Sequence, residues 1–302
     1  MEDRKRVVIA GSSGFVGQTL AARLRAAGHL VLRLVREPAP SPAVDALPWH
    51  PAAGSLDPGH LAGADAVINL CGQNIGERRW TPAVKQQLRA SRLDPTALLA
   101  DAIAGMERPP RLLVNASAVG LYGDRGDTVL DETAAAGCGF LAELVGQWEA
   151  AALAARSDRT RVVLLRLAMV LGRGGALGKM LLPFRLGLGG PVGSGRQWWP
   201  WIALDDVVGA IELVLANPAV DGPLNLASPT EVRCREFVRS LGRVLKRPTV
   251  LPLPAPAARL ALGEMADPLL LYSARVRPVA LLDHGYAFRL AELEDAVRAA
   301  VD

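Results

Sequence analysis

A glycine-rich segment near the start of the chain constrains the fold more than any other feature. Residues 11–17 read GSSGFVG and lie between the apolar run VVIA and a segment with helical spacing. Gly11 permits a tight turn, Gly14 lets the backbone approach a pyrophosphate, and Gly17 lets the helix pack closely on the strand. The N-terminus of the helix adds N–H donors and the positive end of its dipole. This spacing between a strand and a helix predicts a dinucleotide-binding unit.

Alternating strand and helix patterns continue through the first two thirds of the chain. Apolar strand patterns occupy residues 4–10, 29–35, 65–70, 111–117 and 161–167, and helical patterns occupy residues 14–27, 82–106 and 139–155. A kink is expected at Asp94-Pro95, because proline lacks a backbone N–H and clashes with the preceding turn. The rhythm predicts an α/β fold of the Rossmann type, a doubly wound parallel sheet with helices on both faces.

The end of the second predicted strand indicates which dinucleotide the loop accepts. About 20 residues after the loop the strand ends at Val35-Arg36-Glu37. An acidic residue at this place binds the ribose hydroxyls of NAD, whereas an arginine suits the 2′-phosphate of NADP. Arg36 comes first and favours NADP(H). If Glu37 faces the ribose instead, the cofactor is NAD.

The last third of the chain has a different composition and predicts a smaller C-terminal substrate lobe. Residues 171–195 are glycine-rich, and the following QWWPWIALDD holds three of the six tryptophans. A helical pattern at 206–216 and a strand pattern at 223–226 indicate a return to the main sheet. We therefore expect an NADP-binding domain over 1–170, to which 205–228 returns, and a substrate lobe made of 171–204 and 229–302.

Composition and charge exclude several classes of function. The chain has 302 residues, half of them hydrophobic, and a net charge of +4, which does not fit a mainly disordered protein. Its arginines are scattered, so no nucleic-acid-binding stripe is expected. The longest run without a charged residue, 7–22, is interrupted by glycines, and the charged start shows no signal-peptide pattern, so we expect no membrane span and a cytoplasmic protein. Three separated cysteines and four histidines outside any ligand spacing predict no metal site.

Several longer motifs give the whole chain a family resemblance. After the glycine loop come NLCGQNIGERRW (69–80), SRL (91–93), SAVGLYGD (117–124), WEAA (148–151), LRLAMVLGRGGALGKMLLPFRLGLGGPVGSGRQWWPWI (165–202) and GPLNLASP (222–229). In these motifs the chain resembles the extended short-chain dehydrogenase/reductase superfamily. Within that superfamily it is similar to the branch of epimerase family proteins, which is related to nucleotide-sugar epimerases.

The resemblance implies a set of cofactor-binding residues. Those implied for the pyrophosphate are Gly11, Ser13, Gly14, Phe15, Val16 and Gly17. Those implied for the 2′-phosphate and the ribose are Val35, Arg36, Leu70, Cys71 and Gly72. Arg92 would reach back towards the cofactor, with Gln87 one turn earlier; alternatively, Arg92 is a solvated surface arginine.

The superfamily's usual proton-transfer pair is missing from this sequence. In that pair a tyrosine, with an ordinary pKa near 10, is made acidic by a lysine four residues later. None of the three tyrosines here has a lysine four residues on. Alignment on Trp148-Glu149 puts Leu141 and Val145 at the two positions, and neither side chain can transfer a proton.

Few groups can replace the missing pair. The superfamily's serine motif reads SAVGLYG here, with Ala118 in the catalytic position and Ser117 one residue earlier. Ser117 forms a hydrogen bond with the nicotinamide or the substrate, or else only with the local backbone. Tyr122 serves as a proton donor if its hydroxyl turns inward. Further candidates are the acids Asp124 and Glu143, the anion-binding arginines Arg78, Arg79 and Arg196, and Trp198, Trp199 and Trp201, which form either a substrate wall or a packed hydrophobic corner.

Two functions fit these observations. The first is an NADP(H)-dependent oxidoreductase or epimerase-like enzyme with a nonstandard proton donor, acting on an unidentified small polar or nucleotide-linked substrate. The second is a non-catalytic NADP(H)-binding redox sensor or interaction module. The intact glycine loop supports both. The missing Tyr-Lys pair favours the second, or chemistry that needs hydride transfer alone. The oligomeric state stays open.

Overall fold

An eight-stranded sheet organises the part of the chain that the computed structural model describes, which is residues 4–36 and 44–301. The strands are β1 (Arg6–Ala10), β2 (Leu30–Val35), β3 (Ala46–His50), β4 (Ser55–Leu56), β5 (Ala66–Asn69), β6 (Leu112–Ala118), β7 (Val129–Leu130), β8 (Arg161–Leu167), β9 (Met169–Leu171), β10 (Trp201–Ala203), β11 (Gly222–Leu226) and β12 (Arg275–Val276). The helices are α1 (Phe15–Ala26), α2 (Pro82–Ala104), α3 (Phe140–Leu153), α4 (Gly175–Arg185), α5 (Leu204–Ala216), α6 (Cys234–Leu245), α7 (Ala255–Leu262), α8 (Val279–Asp283) and α9 (Leu293–Val301).

The order of the strands creates a crevice beside β1. The order is β11-β8-β6-β5-β1-β2-β3-β4, and every neighbouring pair is parallel except β3 and β4. The chain builds outward from β1 to β3 and then crosses back to β5 on the other side. Such a reversal is the switch point at which open α/β sheets bind ligands, beyond the carboxyl ends of the strands. The predicted doubly wound parallel sheet is confirmed.

The central strands are apolar on both faces because helices cover both sides of the sheet. Val7 and Ile9 of β1 point into the core formed with α1 and α5, whereas Val8 and Ala10 point into the core formed with α2 and α3. All four side chains are fully buried. Burying a valine or isoleucine stabilises the fold by roughly 1.5–3 kcal/mol relative to exposure. This packing fixes the carboxyl end of β1, from which the glycine loop leaves.

A second core lies among the elements that follow β8. Leu177 and Phe184 of α4 pack there with Trp199, Trp201 and Phe237. The rings of Trp199 and Phe237 meet edge to face, with centroids 5.6 Å apart. Trp199 and Trp201 therefore form a packed hydrophobic corner. The boundaries of the two expected domains stay a prediction.

The helix predicted over 82–106 does not divide at its internal proline. It forms the single helix α2, with Pro95 buried inside it. Proline removes one backbone hydrogen bond, but Thr96, Leu99 and Ile103 bury the same part of the helix against the sheet. Tertiary packing thus outweighs the local break. Within the described residues, no helix has the length and apolarity needed to cross a membrane.

Candidate cofactor site

The loop between β1 and α1 owes its shape to three glycines. Gly11 has a φ of +78°, and a Cβ atom there would lie 2.7 Å from the carbonyl carbon of Leu70. A Cβ on Gly17 would lie 2.2 Å from the Gly11 carbonyl oxygen, so α1 can approach the loop only with glycine at this place. Gly14 is exposed, and its amide donates to the Gly11 oxygen at 3.0 Å. The loop therefore packs closely against Leu70 and against α1, whereas its backbone at Gly14, where the helix begins, is exposed.

The residues on either side of Gly14 leave the backbone at the start of α1 accessible. Ser13 is exposed, and Phe15 and Val16 are half-buried in the first turn of α1. Amides in the first turn of a helix have no intrahelical acceptor and can bind an anion. The Phe15 ring is turned towards the segment before α4, since a Cβ on Gly172 would lie 2.6 Å from its Cζ. The implied pyrophosphate contact of Phe15 is thus restricted to its amide.

Arg36 lies beside this loop. It directly follows β2, whose Leu34 pairs with Ala10 at the end of β1. Val35 is half-buried and Arg36 is exposed. Burial raises the pKa of the Cys71 thiol to about 12, and the nearby Arg36 guanidinium opposes this rise. The structure thus brings the ends of β2 and β5 to the same crevice. Glu37, on which the NAD alternative depends, lies outside the described residues.

Arg92 supports the segment that follows β5. Its Nη2 donates to the carbonyl oxygen of Gln73 at 2.9 Å, and its Nη1 donates to that of Leu88 at 3.2 Å. A Cβ on Gly72 would lie 3.3 Å from the Arg92 Cζ. Burial lowers the pKa of Arg92 to about 10. Arg92 is therefore half-buried beneath the loop and not a solvated surface arginine.

Gln87 lies apart from Arg92. It is exposed on α2. Five residues of a helix turn through roughly 500°, so the two side chains point about 140° apart around the axis. The structure does not bring Gln87 to the face of α2 that supports the loop.

Ser117 and Tyr122 lie in a buried polar network. Ser117 Oγ donates to Glu149 Oε1 at 2.5 Å. The Tyr122 hydroxyl donates to Asn225 Oδ1 at 2.6 Å and accepts from Arg166 Nη1 at 2.9 Å. Both residues are at most 1% exposed. Burial raises the pKa of Tyr122, and the charge of Arg166 partly opposes this rise. With both hydroxyls directed at protein partners, this geometry argues against the hydrogen bond to nicotinamide or substrate predicted for Ser117 and against the proton transfer predicted for Tyr122.

This network is part of a polar band that the sequence analysis missed. Asn69 pairs in register with Asn115, and Arg166 pairs with both Ser117 and Asn225. The side-chain Nδ2 of Asn69 donates a hydrogen bond to Asn115 Oδ1 at 2.7 Å. The band crosses four neighbouring strands close to their carboxyl ends. The available signal was the polar residues within the apolar runs VINL, VNAS, LLRL and PLNL, which hold one each except for VNAS, which holds two.

Apolar side chains occupy the positions aligned with the missing Tyr-Lys pair. Leu141 is half-buried at the start of α3. It lies close to Gly120, because a Cβ atom built on Gly120 would be 3.4 Å from Leu141 Cδ1. It packs on a cluster that includes Trp80 and Met265. Val145 is buried in the main core. The structure therefore offers no ionisable group at either position.

The other predicted groups mostly connect parts of the chain. Asp124 accepts from the Ser273 amide at 3.0 Å. Arg79 donates to the carbonyl oxygens of Leu260 and Ala261. The guanidinium groups of Arg233 and Arg275 lie over the Trp198 ring, with their Cζ atoms 4.2 and 4.8 Å from its centroid. The remaining candidates, Arg78, Glu143 and Arg196, are exposed.

An open parallel sheet with a glycine loop at its switch point defines a dinucleotide-binding protein of the Rossmann class. The chain belongs to the NAD dependent epimerase/dehydratase family, whose model matches residues 7–227. Residues 253–300 match a domain of unknown function, DUF1731. The resemblance to the epimerase branch of the extended short-chain dehydrogenases/reductases is thus confirmed.

Relatives match nearly the whole chain. The chain is 47% identical over 292 residues to the epimerase family protein Mb2239 of Mycobacterium bovis, covering 96% of each. It is 38% identical over 297 residues to human epimerase family protein SDR39U1, covering 97% of this chain and 98% of the relative.

Solved structures agree with this assignment. The crystal structure of human SDR39U1 (isoform 2) with NADPH has a TM-score of 0.89 and 37% identity, covering 98% of both chains. A nucleoside-diphosphate sugar epimerase from Corynebacterium glutamicum has a TM-score of 0.80 and 31% identity, covering 99% of this chain and 58% of that one.

Proposed function

We propose that this protein binds NADP(H) in the crevice between β1 and β5 and uses it in hydride transfer. The observation that carries the proposal is the position of Arg36, exposed at the end of β2 beside the open glycine loop. A guanidinium group matches the geometry of a phosphate and suits the 2′-phosphate that distinguishes NADP from NAD. The NADPH in the crystal structure of human SDR39U1 supports the same choice.

The loop fits a pyrophosphate. Gly14 is exposed, and a Cβ there would meet only the Gly11 oxygen, at 3.3 Å, so a ligand can approach the backbone closely. Ser13 and the first-turn amides of Phe15 and Val16 would complete the phosphate contacts. The segment of Leu70, Cys71 and Gly72 would lie against the ribose, and Arg92 would hold that segment in place. When bound, NADPH would supply a hydride from its nicotinamide ring.

The proposed reaction takes no proton from Ser117 or Tyr122, because both hydroxyls are buried and hydrogen-bonded within the chain. Leu141 is apolar at the place of the superfamily's tyrosine. These observations favour a reaction in which the cofactor transfers the hydride and any accompanying proton is exchanged with water, and we propose that the substrate is small and polar or linked to a nucleotide. They equally favour a second candidate function, an NADP(H)-binding redox sensor or interaction module without turnover.

A calorimetric titration of the nucleotide-free protein with NADPH and, in parallel, with NADH tests the proposal. We expect tighter binding of NADPH. Tighter binding of NADH would transfer ribose recognition to Glu37, and binding of neither would overturn both candidate functions. The protein is then incubated with NADPH and a panel of candidate substrates, and the near-ultraviolet absorbance of the reduced nicotinamide is measured. An oxidoreductase consumes NADPH when its substrate is present, whereas a sensor does not.

A further inference from the structure

Helix α4 touches the glycine loop at its N-terminal end. The Phe15 ring packs on the glycines that precede and begin this helix: a Cβ on Gly174 would lie 3.2 Å from Phe15 Cδ2, and one on Gly175 would lie 3.4 Å from Phe15 Cε1. A side chain at either position would crowd the Phe15 ring, so glycine lets α4 begin close to the loop. The start of α4 therefore packs closely against Phe15, the first residue of α1.

One turn further on, α4 reaches the loop on the other side of the crevice. Lys179 Nζ donates to the carbonyl oxygen of Gly76 at 2.7 Å. Gly76 belongs to the segment that leaves β5 through Leu70, Cys71 and Gly72. Because β1 and β5 are neighbours in the sheet, the two contacts of α4 lie on either side of the place where a dinucleotide binds in such sheets.

Helix α4 is anchored in the second core on one side and exposed on the other. Leu177 and Phe184 are buried in the second core, but Leu182 and Leu186 on the outer face are 68% and 65% exposed. Glycines lie at both ends of the helix, at 172 and 174 before it, at 175 in its first position, and at 187, 189 and 190 after its end. Gly175 and Gly187 have positive φ values, of +63° and +74°. Glycine adopts such values without a steric cost, so the backbone can change conformation at both ends of α4.

We propose that α4 is a strap across the cofactor crevice, a proposal that rests on the NADP(H) site described above. Within this strap, Lys179 is a positioning residue that slows cofactor release. Lys179 holds the strap to the Gly76 segment by a charge-assisted hydrogen bond. Release of the nucleotide requires α4 and this segment to separate, so the contact is lost before the nucleotide leaves.

Dissociation of NADPH from the intact protein tests the strap. The protein is loaded with NADPH and mixed with excess NADP⁺, and the decay of NADPH fluorescence gives the dissociation rate. Lys179→Met removes the charged donor and keeps an unbranched side chain that is one atom shorter. We expect a rate about three- to tenfold higher, the range for an exposed hydrogen bond to a charged group. Lys179→Arg, which retains the donor and the charge, should release NADPH within about twofold of the wild-type rate.

Arg185→Met is the matched control, because Arg185 is exposed at the other end of the same helix. It removes one positive charge from α4 and should change the rate by less than about twofold. An unchanged rate in Lys179→Met, or an equal acceleration in Arg185→Met, overturns the strap. A wild-type protein that retains no NADPH overturns the proposed function and the strap with it. Equal thermal midpoints of the variants show that a faster release is not unfolding.

Discussion

Arg166 and Glu149 form a two-pronged ion pair inside the protein. Arg166 Nε donates to Glu149 Oε1 at 2.9 Å, and Arg166 Nη2 donates to Oε2 at 3.0 Å. Both residues are less than a tenth exposed. Glu149 also accepts from Ser117, and Arg166 also donates to Tyr122. The pair joins β8 to α3 and fixes the hydroxyls for which sequence analysis predicted catalytic roles.

Replacing Glu149 by glutamine should destabilise the protein strongly. Glu149→Gln keeps the shape of the side chain but leaves the buried Arg166 charge uncompensated. We expect the free energy of unfolding to fall by about 3 kcal/mol, as for other buried pairs that lose one partner. Urea denaturation of Glu149→Gln and Glu143→Gln gives the comparison. Glu143 lies on the same helix. Its side chain is 63% exposed and its Oε2 is 3.6 Å from Arg89 Nη2, so loss of its charge should change stability by less than about 1 kcal/mol. Equal losses in the two variants would contradict the buried role of the pair.

Replacing Tyr122 by phenylalanine should affect stability and not cofactor affinity. Tyr122→Phe removes only the hydroxyl and leaves Asn225 Oδ1 and one Arg166 N–H without their partner. The expected loss of stability is about 1–3 kcal/mol, measured by urea denaturation. NADPH affinity, measured by calorimetry, should stay the same. A variant of unchanged stability that has lost NADPH-dependent turnover would restore Tyr122 as a candidate proton donor.

The same residue should make the protein sensitive to alkali. Because burial raises the pKa of Tyr122 in the folded chain, the unfolded chain releases this proton first, near pH 10. Its contribution to stability is complete below that pH and is lost as the pH rises towards the folded pKa. The slope from one such group is about 1.4 kcal/mol per pH unit. Unfolding free energies measured between about pH 9 and 11 should therefore fall less steeply in Tyr122→Phe than in the wild type; identical slopes would show that Tyr122 does not keep its proton in the folded state.

Removing the Arg36 side chain should lower the affinity for NADPH and leave that for NADH unchanged. The proposed partner of Arg36 is the 2′-phosphate, which NADH lacks. Losing a hydrogen bond to a charged group weakens binding by about tenfold or more. Calorimetric titration of Arg36→Ala with both nucleotides measures the difference. Arg111→Ala is the control, since Arg111 is exposed next to the amino end of β6, at the opposite edge of the sheet. Parallel losses for NADPH and NADH in Arg36→Ala would place Arg36 elsewhere than on the 2′-phosphate.

Adding one methyl group at Gly17 should damage the cofactor site, whereas adding one at Gly146 should not. The Cβ of Gly17→Ala would lie 2.2 Å from the Gly11 oxygen and force the loop away from α1. We expect NADPH binding to fall below detection in calorimetry. Gly146 is inside α3 and has no atom within 4 Å of its Cβ position. Gly146→Ala should raise the free energy of unfolding by about 0.5–1 kcal/mol and preserve binding. Retained NADPH binding in Gly17→Ala would contradict the packing described for the loop.

The cofactor loop illustrates what can be predicted from the order of residues. Its turn, its helix start and its place at the sheet edge follow from glycines at 11, 14 and 17 between a strand and a helix. Each of these properties depends on neighbours along the chain. The position of Arg36 follows in the same way, because a residue at the end of the second strand must lie beside the end of the first in a βαβ unit.

The roles of Ser117, Tyr122 and Arg92 could not be predicted in this way. The hydroxyl of Ser117 meets a carboxylate 32 residues away, and that of Tyr122 meets an amide 103 residues away. Arg92 meets a carbonyl group 19 residues earlier. A side chain's role depends on which groups face it, and strand order and helix packing bring these groups together.

Periodicity and spacing predict the parallel sheet, the dinucleotide loop and the missing Tyr-x-x-x-Lys pair, because each depends on residues that are close along the chain. Only the folded chain shows that the Ser117 and Tyr122 hydroxyls are buried in a polar band and that α4 contacts both Phe15 and Gly76. Both results depend on the order in which the strands assemble: a polar residue in an apolar strand acquires its partner only when the neighbouring strand is in register.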